Sequence, residues 1–243
     1  MFKFHILRVS KELLGHLILV FLPILLISFF YYVNSSAILT SGAAINTTEV
    51  STVLTIGFAL TFQIYGSAIS FETFGHDFLS PIHDRLLAAP VSPRKIVFSV
   101  LFTGIVVSFL QTIVIVIFSM IILDAKFNYL IPILIILLVS VIFNQLFGTV
   151  ILFLTKKVKT ATAITSLYGV LAPIIMQLYF PLPDTKIFNL LEKYLTPISL
   201  AKTATFGILN QNYRDLLAGL IPLMILIVIL FILIKPLSRK VIV

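Results

Sequence analysis

Six stretches of this chain contain no Asp, Glu, Lys or Arg and are dominated by apolar residues. They are Leu17–Val33, Val50–Phe71, Ile96–Leu123, Leu130–Leu154, Ala161–Phe180 and Leu216–Ile234. A helix needs about 20 such residues to cross the hydrocarbon core of a bilayer, within a range of roughly 17–25. The first stretch is near the short limit, and the third is long enough to tilt. A soluble domain could not bury so much apolar surface. Hydrophobic residues make up 60% of the chain and charged ones 11%, against roughly 45–50% and about 25% in soluble proteins. The chain is therefore read as an all-α polytopic membrane protein with six transmembrane helices. No internal repeat or soluble domain interrupts it, so residues 1–243 form one membrane domain.

Basic residues set the orientation. With both termini in the cytoplasm, the inner segments hold Lys3, Arg8, Lys11, Arg85, Arg94, Lys95, Lys156, Lys157, Lys159, Lys235, Arg239 and Lys240. The outer segments hold Lys126, Lys186, Lys193, Lys202 and Arg214. Glu12, Glu72, Asp77 and Asp84 fall inside, and Glu49, Asp124, Asp184, Glu192 and Asp215 outside. The inner face then carries the whole net charge of +8, and the outer face is neutral. This excess is that of a chain beside anionic lipid, not of a nucleic-acid binder.

The segments between the runs differ in character. Phe2, Ile6, Val9 and Leu13 recur at helical spacing, which predicts an interfacial helix over residues 1–16, retained rather than cleaved as a signal peptide. On the outer side, Asp124–Tyr129 is a tight turn. Residues 181–215 are longer. Ile187, Leu190, Leu191 and Tyr194 share one helical face, Thr196-Pro197 breaks that helix, and Ile198–Phe206 forms a second, ended by Gly207. This pair either dips into the outer leaflet or lies flat on it.

Residues 72–95, ETFGHDFLSPIHDRLLAAPVSPRK, form the polar island of the inner face. Ser80 suits an N-cap, Pro81 the first helical position and Asp84 the first turn, so a short helix is expected up to Ala89 with Pro90 closing it. Set between two spans, it has the character of a docking element for a cytosolic partner.

The chemistry available to the chain is narrow. With no Cys there is no disulfide framework, thiolate metal site or thiol nucleophile. His5, His16, His76 and His83 are all assigned to the cytoplasmic side and, without an HExxH pattern, to solvated or docking roles rather than to metal. There is no phosphate-binding GxxxxGK[ST] loop and no GxSxG, so no enzyme activity is expected of this chain. Ion-coupled transporters place ionisable groups at depth, and these spans have none. The polar side chains at depth are Gln63, Gln111, Asn144, Gln145 and Gln177, with Ser and Thr. They either glue helices together or line a translocation path. Transport would need an outside motor.

Taken together, the interfacial helix, six spans, inner termini and the 72–95 segment resemble the ABC-2 type permeases, the transmembrane subunits of bacterial ABC exporters. The residues that carry the likeness are Glu72, Asp77-Phe78, Ser80-Pro81 and Arg85-Leu86-Leu87-Ala88-Ala89-Pro90-Val91-Ser92. The Asp-Phe-x-x-Pro form is similar to permeases of Gram-positive peptide and antibiotic exporters, including those of phenol-soluble modulins. The resemblance implies a multi-pass protein of the bacterial cytoplasmic membrane, working as a dimer with a second permease subunit and two copies of a P-loop ATPase. ATP and Mg would be held by the ATPase, with no cofactor in this chain. It implies that Glu72, Asp77, Ile82, Asp84, Arg85, Leu86, Leu87 and Pro90 couple to the ATPase, and that short outer helices lie between spans five and six. In many members Glu-x-x-x-Gly runs directly into Leu-Leu-x-x-Pro; here HDFLSPIHD stands between Gly75 and Arg85. With 22 Phe, the walls suit an amphipathic peptide or lipophilic drug. A membrane scaffold or sensor, recruiting its partner through the same loop without transport, is the alternative.

Overall fold

The computed structural model describes residues 13–41, 47–80, 93–178 and 183–242. Regular structure among these residues is entirely helical: α1 (Leu13–Ser41), α2 (Thr47–Phe78), α3 (Pro93–Ile122), α4 (Leu130–Thr155), α5 (Val158–Ile175), α6 (Lys186–Tyr194), α7 (Pro197–Leu209) and α8 (Tyr213–Ile242). α1, α2, α3, α4, α5 and α8 are each long and apolar enough to cross a membrane, and each contains most or all of one of the six apolar runs.

α2 is the hub. It packs against α1, α3, α4, α5 and α7, and 76% of its most apolar window is buried, against 11% for α1 and 17% for α8. Its composition explains this. Lipid is as apolar as Leu, so helices associate in a bilayer by close packing and hydrogen bonding, which draws small and polar residues inward. Ser51, Thr52, Thr55, Thr61, Ser67, Ser70 and Thr73 of α2 are all buried. Several hydroxyls are satisfied one turn back, as in Thr55 Oγ1 to Ser51 O at 2.6 Å and Thr61 Oγ1 to Gly57 O at 2.8 Å. Meanwhile α1 and α8 turn Phe21, Phe29, Ile225 and Ile232 outward, as lipid-facing helices do.

The C-terminal end of α2 departs from expectation. Residues 72–78 are not loop but two further turns of helix. Phe71, Phe74 and Phe78 fall on one face and are buried against the N-terminal part of α3 and the C-terminal part of α4, with the Phe74 and Phe153 rings 5.5 Å apart. That apolar stripe carries the helix past the polar Glu72, His76 and Asp77. Ser80 donates from Oγ to His76 O at 2.5 Å, closing the end of α2. The expected short helix after it lies outside the described residues, as do residues 1–12. Leu13–His16, expected within an interfacial helix, form the first turn of α1.

The rise from Thr52 to Glu72 is about 30 Å, the thickness of a bilayer core. Thr52 marks one boundary, where it clasps the α3–α4 turn: its Oγ1 accepts from Lys126 N at 3.1 Å. Lys156, at a left-handed φ of 52°, turns α4 into α5 at the other boundary.

The segment 181–215 holds two unlike helices. α6 is capped by the Thr185 side chain and has no buried residue. α7, capped by Thr196 with Pro197 in its first turn, is largely buried. It packs on α8, α4, α2 and α5 and runs antiparallel to α8, with Leu200 and Ala204 beside Gly219 and Gly207 beside Leu216. α7 is therefore inserted among the spans, while α6 stays at their edge. Gly207 does not end α7, which continues to Leu209. A Cβ there would sit 2.3 Å from Leu216 N, so this glycine serves the close approach of two backbones.

Lys157 and Lys193 sit at opposite ends of α5, because Gln177, just beyond that helix, bonds Glu192 beside Lys193. Single Cys residues placed at these positions in this Cys-free chain should react with a membrane-impermeant maleimide from opposite faces. The basic-residue pattern assigns Lys193 to the outside. Labelling of position 157, and not of 193, in intact cells would reverse that orientation.

Candidate functional site

The polar side chains at depth do not all come together in one place. Three of the five amides meet in a seam where α2, α3 and α4 touch. Gln145 of α4 is its centre. Its Oε1 accepts from Ser70 Oγ at 2.8 Å, and its Nε2 donates to Ser108 Oγ at 2.9 Å and to Gly104 O at 3.3 Å. One fully buried side chain thus ties three helices. Gly104 makes this possible, since a Cβ there would lie 2.3 Å from Ser70 Oγ and 2.7 Å from Gln145 Oε1.

One to two turns away, Gln63 Nε2 donates to Thr112 Oγ1 and Leu137 O, both at 3.3 Å, while its Oε1 has no hydrogen-bond partner among the described residues. Gln111 Nε2 lies 3.0 Å from His16 Nδ1 and shares a small void with Gln63, Ser108 and Thr112. His16, expected with the histidines of the inner face, is thereby placed beside the seam within the apolar band. Its helix begins at Leu13 and packs on α2 and α3, so the first turn is carried inward.

The other two amides lie elsewhere. Asn144, next to Gln145 and so rotated by about 100° on the helix, bonds back to Ser140 O at 3.0 Å and leaves Oδ1 without a partner. Gln177 belongs to a network that sequence reasoning missed. In the left-handed region at φ 56°, it donates from Nε2 to Glu192 Oε2 at 3.0 Å. Lys202 Nζ donates to Glu192 Oε1 at 2.8 Å and to Met176 O at 2.7 Å. Thr203 Oγ1 adds a bond to Lys193 O at 2.9 Å. The half-buried ion pair thus fastens α6 and α7 to the C-terminal end of α5, beside a cavity of about 320 Å³ that Glu192, Lys202 and Asp215 help to line.

The proposed coupling residues divide. Ile82, Asp84, Arg85, Leu86, Leu87 and Pro90 lie outside the described residues. Asp77 is buried, with its Oδ1 3.4 Å from Nδ1 of the exposed His76. Glu72 is exposed and lines a groove of about 270 Å³ between α1 and α5 over the face of α2, with Gly15, Ile18, Tyr65, Thr162 and Ser166. The carboxylate that the sequence groups with the coupling segment thus also borders a groove at membrane depth. Among the described residues, no cluster of His, Asp or Glu could hold a metal ion. What the arrangement offers is mechanical: a clasped core, a fastened pair of short helices and a long central rod. No protein-family model, curated protein or solved structure matches the chain.

Proposed function

We propose that this chain is the permease subunit of an ATP-driven exporter of the ABC-2 type. It would move an amphipathic peptide or lipophilic molecule across the bacterial cytoplasmic membrane while a separate subunit hydrolyses ATP. The observation that carries the reading is the continuity of α2. This helix touches five others, rises about 48 Å over its 32 residues, and leads from the inner boundary into the segment whose RLLAAPVS stretch resembles a coupling helix. A push delivered there by a closing ATPase would act on a rod through the core, not on a loose loop. The inserted α7, fastened to α5 by Lys202 and Glu192, supports the same reading as the outer helix pair that the resemblance implies. The groove beside Glu72, with apolar Ile18 and the Tyr65 ring next to the Thr162 and Ser166 hydroxyls, suits a cargo that is itself amphipathic.

Co-expression with a P-loop ATPase encoded beside it, and ATPase assay of the purified complex in lipid with candidate peptides and drugs, tests the proposal. A stable complex whose ATP turnover rises with cargo is expected. A complex that forms but never responds to any cargo would assign the chain to recruitment without transport. Failure to capture any ATPase would overturn the exporter reading.

A further inference from the structure

A cavity of about 380 Å³ lies between the Lys95 end of α3 and the Lys235 end of α8, away from the seam and from the Glu72 groove. Its walls are Phe98, Leu101, Phe231 and Ile232, and Lys235 and Ser238 border it one turn further along α8. Lys235 follows directly on the apolar run that ends at Ile234, about 33 Å along α8 from Tyr213, and so stands at the boundary between hydrocarbon and headgroup. Phe98 and Phe231 are about half exposed with ring centres 6.0 Å apart, so the cleft opens outward to lipid. The Lys235 carbonyl accepts from Ser238 Oγ at 3.0 Å, but its ammonium has no hydrogen-bond or ion-pair partner among the described residues. An apolar cleft a few turns long, with one uncommitted ammonium at its polar end, has the chemistry of an acyl chain below and a phosphate above.

We propose that this cleft is a binding site for an anionic glycerophospholipid, with one acyl chain between Phe98 and Phe231 and the phosphate on Lys235. Charge complementarity selects this occupant over a second protein chain. The described lysines of this boundary, Lys95, Lys156, Lys157, Lys159 and Lys235, outnumber the acids Glu72 and Asp77, so an anionic headgroup is the favoured neighbour. The site does not depend on the exporter reading.

The chain has no Trp, which makes the test direct. Phe98→Trp, or Phe231→Trp if the first variant assembles poorly, places a single fluorophore in the cleft. Phe29→Trp, on the outward face of α1, serves as the lipid-exposed reference. Each protein is reconstituted in vesicles of brominated phosphatidylglycerol or brominated phosphatidylcholine, and quenching is compared. Preference for the anionic lipid at the cleft, relative to the reference, should be about fivefold, the ratio one basic residue supplies near an anionic surface. Lys235→Gln should remove that preference while leaving quenching itself intact. Equal quenching by both lipids in the Lys235 protein would overturn the proposal. So would absence of quenching at both positions 98 and 231, which would mark the cleft as covered by protein.

Discussion

Export should fall more than tenfold in Arg85→Ala, with insertion and assembly of the permease unchanged. In the short helix expected from the sequence, Ile82 and Leu86 would be one turn apart and share a face. Arg85 would adjoin that face, where its guanidinium could hold a carboxylate of the proposed ATPase bidentately. Truncating one partner of a buried charged pair costs about 2–5 kcal/mol, a factor of at least roughly thirty. Substrate-stimulated ATP hydrolysis and export should fall together, because docking is lost rather than the catalytic site of the ATPase. Lys157→Ala, in the two-residue turn between α4 and α5, should change both much less, since that turn offers no apolar docking face. Export that persists in both Arg85→Ala and Leu86→Asp would show that the segment is a solvated turn and would remove the main support for the exporter reading.

Gly104→Leu is expected to be the most damaging substitution in the seam. Its Cβ alone would meet Ser70 Oγ at 2.3 Å and Gln145 Oε1 at 2.7 Å, so α3 must back away from both α2 and α4. Overpacking of this kind costs about 1–3 kcal/mol, and the stranded Gln145 amide adds about 1–3 kcal/mol as its bonds are lost. By contrast, Gln145→Leu removes the amide along with its bonds and should cost less, since membrane hydrogen bonds average about 0.6 kcal/mol each. Gly15→Leu, where nothing lies within 4 Å, should be nearly neutral. Thermal unfolding in detergent would rank the three. A Gly104→Leu protein that melts with Gly15→Leu would mean that the seam does not hold the helices together.

The spans were legible because each apolar run is long and free of charge, and hydrocarbon admits little else. The division of 181–215 at Thr196-Pro197 was equally plain, since a hydroxyl cap and a first-turn proline act locally. Properties that depend on a neighbour were hidden. Nothing around Gly207 reveals that the backbone of Leu216 comes against it. Glu192 and Lys202 stand ten residues apart on different helices, so no periodicity links them. The end of α2 was misread because Glu72, His76 and Asp77 announce a loop, while the stripe formed by Phe71, Phe74 and Phe78 becomes meaningful only with α4 opposite. The amides at depth were found as residues, but which three would converge depends on how helices rotate against one another.

The burial of α2 bears on how the protein is made. α2 leaves the ribosome before α3 and α4, the helices that cover its hydroxyls and Gln63. It is also, with α5, the least apolar of the six spans, and a hairpin of α1 and α2 alone would leave Ser67, Ser70 and Gln63 facing lipid. Hydroxyls bonded to their own helix lessen that exposure, but the Gln63 side chain has no partner until α3 and α4 arrive. Biogenesis must therefore hold α2 at the insertion site, or shelter it with an insertase, until α4 is delivered. Substitutions that slow the arrival of α3 or α4 would reduce the amount of protein in the membrane without altering the finished fold.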